Sequence, residues 1–145
     1  MPEPLDGELQ DLLDREAIRN LVIRYANCLW RGEIDEMAAM FVENGEFVTK
    51  GDNSFNVPNT KGRENVRALI AAGANRLGAS TPLVHNHEIN LESRTIASGV
   101  AFLEVRKESA GMEISALGAY HDDYEKDAGR WKFRRRAVRI YRMDV

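Results

Sequence analysis

The hydrophobic period of this 145-residue chain changes near residue 80. Before that point, apolar residues recur at steps of three and four, which is the period of a helix with one buried face. After it, apolar and polar residues alternate over long stretches, which is the period of a strand. Helices followed by a run of antiparallel strands are typical of the α+β class. We therefore predict helices on one face of a curved sheet, with a hollow between them that suits a ligand.

The first predicted helix spans residues 14–31, with Asp14 as its N-terminal cap and Gly32 as its stop. Residues 8–13 are expected to add a short helical piece before it. The apolar residues of the helix at residues 14–31 follow the helical period and are expected to face inward: Ile18, Leu21, Val22, Tyr25 and Leu29.

Two shorter helices are predicted next. One begins at Asp35, which is expected to be its cap, and the other spans residues 63–77. The small Gly73 lies on the inner face of that third helix and is expected to allow close packing. These two helices complete the helical half of the chain.

Four long strands are predicted after the helices, over residues 83–92, 95–107, 112–125 and 130–142. A small hairpin is predicted earlier, from Phe47-Val48 and residues 55–57 with the letters TKGDNS between them. The long strands are joined by short connections, so we expect them to pair mostly antiparallel in one sheet.

Composition and charge narrow the class of protein. The chain is 43% hydrophobic and 30% charged, and its length suits one domain over residues 1–145, with residues 1–11 predicted to be a flexible arm. Cys28 is the single cysteine, which fits a reducing compartment, and no apolar run is long enough to span a bilayer. We expect a cytoplasmic, soluble protein with no membrane partner.

The segment Lys132–Arg142 carries six cations in eleven residues, although the formal net charge of the chain is −3. Strand alternation is expected to place these cations in a solvated stripe. We therefore predict no nucleic-acid partner. An electrostatic contact between two copies, or an anionic ligand at the sheet edge, is the alternative use of this stripe.

Several motifs, taken in order, resemble a known family. The run Ala17–Phe47 contains an Arg-Tyr pair, a Gly-acidic turn and a short helix that leads to phenylalanine. Gly62-Arg63-Glu64 opens the third helix, and a closing hairpin holds Gly118, Tyr120, Asp122, Gly129 and Trp131. Together they resemble a SnoaL-like domain of the nuclear-transport-factor-2-like superfamily over residues 12–142. The resemblance implies a cystatin-like, cone-shaped roll: a strongly curved, mostly antiparallel sheet wrapped around three N-terminal helices, with an internal pocket.

The resemblance also implies partners and chemistry. Members often form homodimers through the sheet, and the catalytic ones work without a metal or cofactor, by proton transfer in an apolar cavity. In ketosteroid isomerase, one of these members, such a cavity keeps a carboxylic acid neutral so that it can donate a hydrogen bond. We accordingly expect no cofactor, a homodimer and a small apolar organic ligand.

Two residues that the resembled branch uses for catalysis are absent. That branch pairs an aspartate late in the first helix with a histidine on a strand. The aspartate position, five residues after Tyr25, is Trp30, and the histidine position, four residues before Asn86, is Pro82. Because each partner of such a dyad depends on the other, the double loss indicates a site that has been reassigned. Trp30 is expected either to line the pocket or simply to fill volume.

His85 and His87 lie two residues apart on the same predicted strand, so one side of that strand is expected to carry both. Three interpretations remain open. The pair, with His121, supplies three nitrogens for zinc or iron; the histidines are satisfied by hydrogen bonds near the pocket; or one of them is a displaced general base. We predict no metal.

The sequence therefore predicts a domain that binds a small organic molecule, with two function classes open. One is a non-catalytic binding domain. The other is a cofactor-independent lyase (dehydratase), isomerase or polyketide-cyclase-type enzyme with His85 or His87 as the base. The predicted ligand-binding residues are Tyr25, Trp30, Phe47, Phe55, Asn86 and Tyr120.

Overall fold

The structure, a computed structural model, describes residues 6–51, 58–77, 80–107 and 114–143. The helices are α1 (Gly7–Arg31), α2 (Ile34–Ala39) and α3 (Arg63–Leu77). The strands are β1 (Phe41–Thr49), β2 (Thr60–Lys61), β3 (Ser80–Leu91), β4 (Ile96–Lys107), β5 (Ile114–Asp127) and β6 (Arg130–Met143). The three helices and four long strands confirm the predicted α+β class.

The strands form one open, six-stranded sheet in the order β2-β1-β6-β5-β4-β3. All neighbours pair antiparallel except β1 and β6, which are parallel. β3 is an edge strand, and α1 packs against it; the Arg15 guanidinium donates to the carbonyl oxygen of Ile89 at 2.7 Å. We call the sheet face that α1 covers the inner face and the opposite one the outer face.

The inner face and the helices enclose an apolar core rich in aromatic rings. Tyr25 of α1 meets Phe41 and Phe133 edge to face, with ring centres 6.3 and 5.6 Å apart. Ile18 and Val22 are fully buried beside them. The helical stripe predicted from the sequence is thus the stripe that packs on the sheet.

α1 begins earlier than predicted. Asp6 is its N-terminal cap and accepts from the Glu8 amide at 2.7 Å, while Gly32, with a φ of 73°, ends it as predicted. Asp14, predicted to be the cap, is instead a buried residue in mid-helix. Residues 7–11 are the first turns of α1, so their assignment to a flexible arm is wrong; residues 1–5 lie outside the described part.

Three local predictions differ from the structure in the middle of the chain. Glu33, not Asp35, precedes the first residue of α2. β1 pairs with Thr60–Lys61, whereas residues 55–57 of the predicted hairpin lie outside the described residues. A Cβ added at Gly73 would meet nothing within 4 Å, so this glycine does not mediate close packing.

Two of the β-bulges in the sheet place His87 and Arg136 on the inner face. In β3, Val84 pairs with Leu103 and His87 with Ala101, so three steps on β3 match two on β4. A second bulge, at Arg134 of β6, lies where the register shifts opposite β5. Each bulge inserts one residue and reverses the alternation beyond it.

The described helices do not include one that is both long and apolar enough to cross a membrane.

Candidate functional site

The bulge in β3 separates the two neighbouring histidines. His87 is half-buried on the inner face, whereas His85 is exposed. The prediction that they share one side of the strand is therefore wrong, because residues 85 and 86 both stand opposite a single residue of β4. The two imidazoles therefore cannot coordinate the same metal ion.

His85 contacts a carboxylate–guanidinium pair on the outer face. Its Nε2 lies 2.8 Å from Oε2 of Glu104, whose other oxygen contacts the Arg106 guanidinium. The His85 bond is the largest influence lowering the pKa of the Glu104 carboxyl. His85 is thus a surface partner of a carboxylate and lies away from the interior where a base is expected.

His87 begins a chain of polar contacts across the inner face. Its Nε2 lies 3.0 Å from the Tyr124 hydroxyl, which donates to Oδ2 of Asp122 at 3.1 Å. Asp122 in turn accepts two bonds from Arg136, from Nε at 3.0 Å and from Nη2 at 3.2 Å. We call His87, Tyr124, Asp122 and Arg136 the inner polar chain.

Small residues on β4 make room for this chain, which crosses from β3 to β5. His87 pairs with Ala101, and Tyr124 pairs with Ala97. Between them lies Gly99, where an added Cβ would be 3.2 Å from the Tyr124 hydroxyl oxygen and 2.5 Å from a backbone oxygen of β3. The phenol therefore reaches His87 only because β4 carries no side chain at this point.

The guanidinium of Arg136 is enclosed by aromatic rings. Its carbon lies 3.5 Å from the ring centre of Tyr120, 4.3 Å from that of Phe133 and 4.5 Å from that of Tyr25. Arg136 is 0% exposed, and its Nη1 has no hydrogen-bond partner among the described residues. The rings replace water around the cation by cation–π contact, which helps Asp122 to hold the charge in the core.

Burial shifts the pKa values of three residues of the inner polar chain. It raises the pKa of the Tyr124 hydroxyl, which stays protonated, and of the Asp122 carboxyl, although Arg136 opposes the latter shift. Burial, with the charges of Arg136 and Arg19, lowers the pKa of His87 to about 4. At neutral pH the site thus contains a neutral imidazole, a phenol and a carboxylate–guanidinium pair.

The predicted binding residues fall into three groups. Tyr25 and Tyr120 lie together, buried against Arg136, and Phe47 is partly buried against the same core. Asn86 is exposed in the bulge of β3. Phe55 lies outside the described residues.

Trp30 does not line the interior. Its side chain is 55% exposed, and the Arg31 guanidinium lies 5.9 Å from the ring centre. Five residues beyond Tyr25 correspond to a rotation of about 140° on a helix, which turns the indole away from the buried stripe. The expectation that Trp30 lines a pocket is therefore wrong. Pro82, the other residue that replaces a member of the catalytic dyad, is buried in β3.

Arg136 is the functional-site candidate that sequence reasoning missed. The segment Lys132–Arg142 was expected to carry its cations in a solvated stripe, but the bulge at Arg134 turns Arg136 inward. The available signal was Asp122, an acidic residue between two tyrosines on one side of β5, since a buried carboxylate requires a cation.

The third histidine lies apart from the other two. The Nδ1 atom of His121 on the outer face is 3.3 Å from the Lys50 amine, which can only donate. Burial lowers the pKa of His121, and so does the charge of Lys50. Among residues 6–51, 58–77, 80–107 and 114–143, no three His, Cys, Asp or Glu side chains are grouped as metal ligands.

Two polar grooves lie on the outer face. They have volumes of about 650 and 490 Å³, and both are lined by Asp123 and Arg135, which point away from the helices. The smaller groove is also lined by Asp122 of the inner polar chain and by Gly99, whereas His87 lines neither of these two grooves.

Comparison with known proteins identifies the family of the chain and similar solved structures. A family model described as SnoaL-like domain matches residues 10–137. A protein of Novosphingobium aromaticivorans described as NTF2-like with a cystatin-like fold is 22% identical, with 93% of this chain and 86% of that chain covered and a TM-score of 0.81. A Mycobacterium tuberculosis protein of unknown function is 21% identical, with 97% and 79% covered and a TM-score of 0.81.

A hexachlorocyclohexane dehydrochlorinase of Novosphingobium barchaimii is 17% identical, with 94% of this chain and 92% of that chain covered and a TM-score of 0.79. At these identities the similarity of the solved structures shows the fold alone, which is cystatin-like.

Proposed function

Because the chain belongs to the SnoaL-like domain family, we propose that it binds a small, mainly apolar organic molecule between α1 and the inner face of the sheet. The observation that carries this proposal is His87. It is half-buried on the inner side of β3, where Val84, Ile89 and Leu91 pack against the core around it. Apolar walls with one oriented polar group are typical of small-molecule sites.

The inner polar chain supports a binding role for His87. A buried ion pair is costly, and replacing it with apolar residues often stabilises a fold. Here the Asp122–Arg136 pair supports Tyr124, which in turn orients His87. A core that serves only stability has no need of the inner polar chain, whereas a ligand site needs a polar group held in one orientation.

Titration with naphthalene and naphthol, followed by proton–nitrogen correlation NMR, tests the proposed site. We expect the largest shifts at the amides of Val84, His87 and Leu91, and small ones at Asp123 on the outer face. Native mass spectrometry of the purified protein would identify any molecule that co-purifies.

Two tryptophan variants provide a matched comparison for this titration. His87→Trp places a bulky indole at the proposed site on the inner face and should weaken binding at least about tenfold, the effect of roughly 1.4 kcal/mol. His85→Trp places the same indole on the outer face and should leave binding unchanged. Ligand-induced NMR shifts confined to the outer face, or an equal loss of affinity in both tryptophan variants, would contradict the proposal.

A second candidate function is a cofactor-independent lyase or isomerase with His87 as the general base. What favours it is the orientation of His87 by Tyr124 and Asp122, which is the role of the carboxylate in the missing dyad. The lowered pKa of about 4 favours binding instead, because a base works best when its pKa lies near the working pH.

The pH dependence of turnover separates the two candidates once a substrate is found. A His87 base with a pKa of about 4 predicts activity that rises near pH 4 and is flat through neutrality. His87→Ala should abolish that activity, whereas His85→Ala should retain it. Full turnover in His87→Ala would reject the catalytic candidate and leave the binding proposal intact.

We also propose a homodimer through the outer face. Phe102 of β4 and Tyr141 of β6 are 45% and 54% exposed. The Arg139 guanidinium lies 5.2 Å from the Tyr141 ring centre. Sedimentation analysis of Phe102→Glu should give a monomer, with Trp30→Glu on α1 as a control that stays dimeric; a monomeric native chain would contradict this.

A further inference from the structure

We propose that His87 presents an unprotonated Nδ1 to the site, so that the bound molecule must carry a hydrogen-bond donor, such as a hydroxyl on an apolar ring. This inference rests on the proposed function, since it assigns the chemistry of the ligand at the same site. It follows from the hydrogen-bond polarity of the inner polar chain, taken one contact at a time from its charged end.

The charged end of the chain is Arg136. A guanidinium keeps its charge in proteins and has only donors. Both Arg136 bonds go to Asp122, one to each oxygen, at 3.0 and 3.2 Å, and both side chains are buried. A buried cation requires a compensating anion, so Asp122 is a carboxylate and has only acceptors.

The middle of the chain is Tyr124. A phenol has one proton to donate, and Tyr124 donates it to Oδ2 of Asp122 at 3.1 Å. The Tyr124 oxygen therefore has only lone pairs to offer to its other neighbour. That neighbour is Nε2 of His87 at 3.0 Å, which must carry the hydrogen of this bond.

The free end of the chain is the other nitrogen of His87. Burial and the charges of Arg136 and Arg19 keep the imidazole neutral, so only one of its nitrogens has a proton. Because Nε2 has that proton, Nδ1 is an acceptor. Among the described residues, no hydrogen bond to Nδ1 is formed, and the ring is half-buried.

These contacts define what His87 can recognise. An alcohol, phenol or enol donates to Nδ1, whereas an ether or ketone oxygen faces a lone pair and is disfavoured. A cationic ligand is also disfavoured, because Arg136 and Arg19 contribute positive potential at His87. The predicted ligand is therefore a neutral or anionic molecule with an apolar ring and a hydroxyl group.

Long-range proton–nitrogen NMR of the full chain with labelled histidine tests the protonation directly. We expect the His87 ring in the form with Nε2 protonated and Nδ1 free. Tyr124→Phe removes the hydroxyl that accepts from Nε2–H and should shift the ring toward a mixture of both forms. A native His87 with the proton on Nδ1 would overturn the inference without affecting the proposed binding site.

Naphthol and methoxynaphthalene test the ligand class, because they share the ring and differ in the donor. We expect naphthol to bind about tenfold more tightly, the typical effect of one net hydrogen bond. His87→Leu, which keeps an apolar side chain of similar size, should reduce this ratio to near one while both probes still bind.

The outcomes separate the two proposals. Equal binding of the two probes to the native chain, or a naphthol preference that persists in His87→Leu, overturns the donor requirement and leaves the proposed function standing. Absence of His87 shifts with either probe overturns the proposed function, and the inference falls with it.

Discussion

Nε2 of His87 on β3 lies 3.0 Å from the hydroxyl oxygen of Tyr124 on β5, although the whole of β4 runs between the two strands. The contact crosses β4 at Gly99, which pairs with Ile89 on one side and Asp122 on the other. A side chain at residue 99 would occupy the path of the phenol. The geometry of the site therefore depends on a residue that contributes no functional group.

Gly99→Ala should destabilise the fold by about 1–3 kcal/mol, the usual cost of overpacking. The new Cβ would lie 2.5 Å from the Glu88 carbonyl oxygen and 3.2 Å from the Tyr124 hydroxyl oxygen. Urea unfolding measures the change. Gly73→Ala in α3 is the control, where a Cβ meets nothing within 4 Å and we expect a gain of about 0.4–1 kcal/mol. Equal effects at both glycines would contradict the close approach described at Gly99.

Arg136→Met should cost about 3–5 kcal/mol, because it leaves the Asp122 carboxylate buried without a partner. Arg135→Ala, one residue away, should change the unfolding free energy by about 0.5 kcal/mol or less, since the Arg135 side chain is 50% exposed. Adding Asp122→Leu to Arg136→Met should recover part of the loss, as no unpaired charge then remains. If the loss of unfolding free energy in the double variant equals the sum of the losses in Arg136→Met and Asp122→Leu, the two residues are not coupled as described.

Asp14→Ala should cost about 2–4 kcal/mol. Oδ1 of this buried carboxylate accepts from Trp131 Nε1 and Lys126 Nζ, each at 3.0 Å, and so joins α1 to the β5–β6 hairpin. Burial alone would raise the pKa of Asp14, but these donors lower it below 3.8. The exposed Asp11, paired with Arg94, is the control, and Asp11→Ala should cost no more than about 1 kcal/mol. Similar losses for the two aspartates would show that burial of the bond is unimportant.

His87 should make the fold less stable in mild acid. Its folded pKa of about 4 lies below the ordinary value of 6.5, so between these values the unfolded chain binds more protons and stability rises with pH. The contribution should be of the order of 1–2 kcal/mol, after allowance for the solvent exposure of a half-buried ring. The charges that act on the ring are Arg136 and Arg19, and its hydrogen-bond partner is Tyr124. We would measure the free energy of unfolding by urea at several pH values. Between pH 4 and 6.5 this free energy should rise less steeply with pH in His87→Gln than in the native chain. An identical pH dependence in the two proteins would contradict the prediction.

The sequence predicted the elements of the fold because their signals are local. The stripe of apolar residues in α1 and the alternation in β3 to β6 depend only on the period of each element, and Gly32 ends α1 as expected from its left-handed backbone. Asp14 shows where such reasoning fails. An aspartate before an apolar stripe resembles a cap, but here distant partners on β5 and β6 keep it inside a longer helix.

The composition of the site was decided by the tertiary structure. A bulge at residues 85–86 places His85 and His87 on opposite faces of the sheet, and a bulge at Arg134 turns Arg136 into the core. A bulge is a mismatch between two strands, so it depends on the register of a neighbour far away in the chain. The order of helices and strands follows from the sequence by itself, because periodicity belongs to each segment alone. Which histidine lies on the inner face, and which arginine anchors the inner polar chain, follows only from how the strands are aligned.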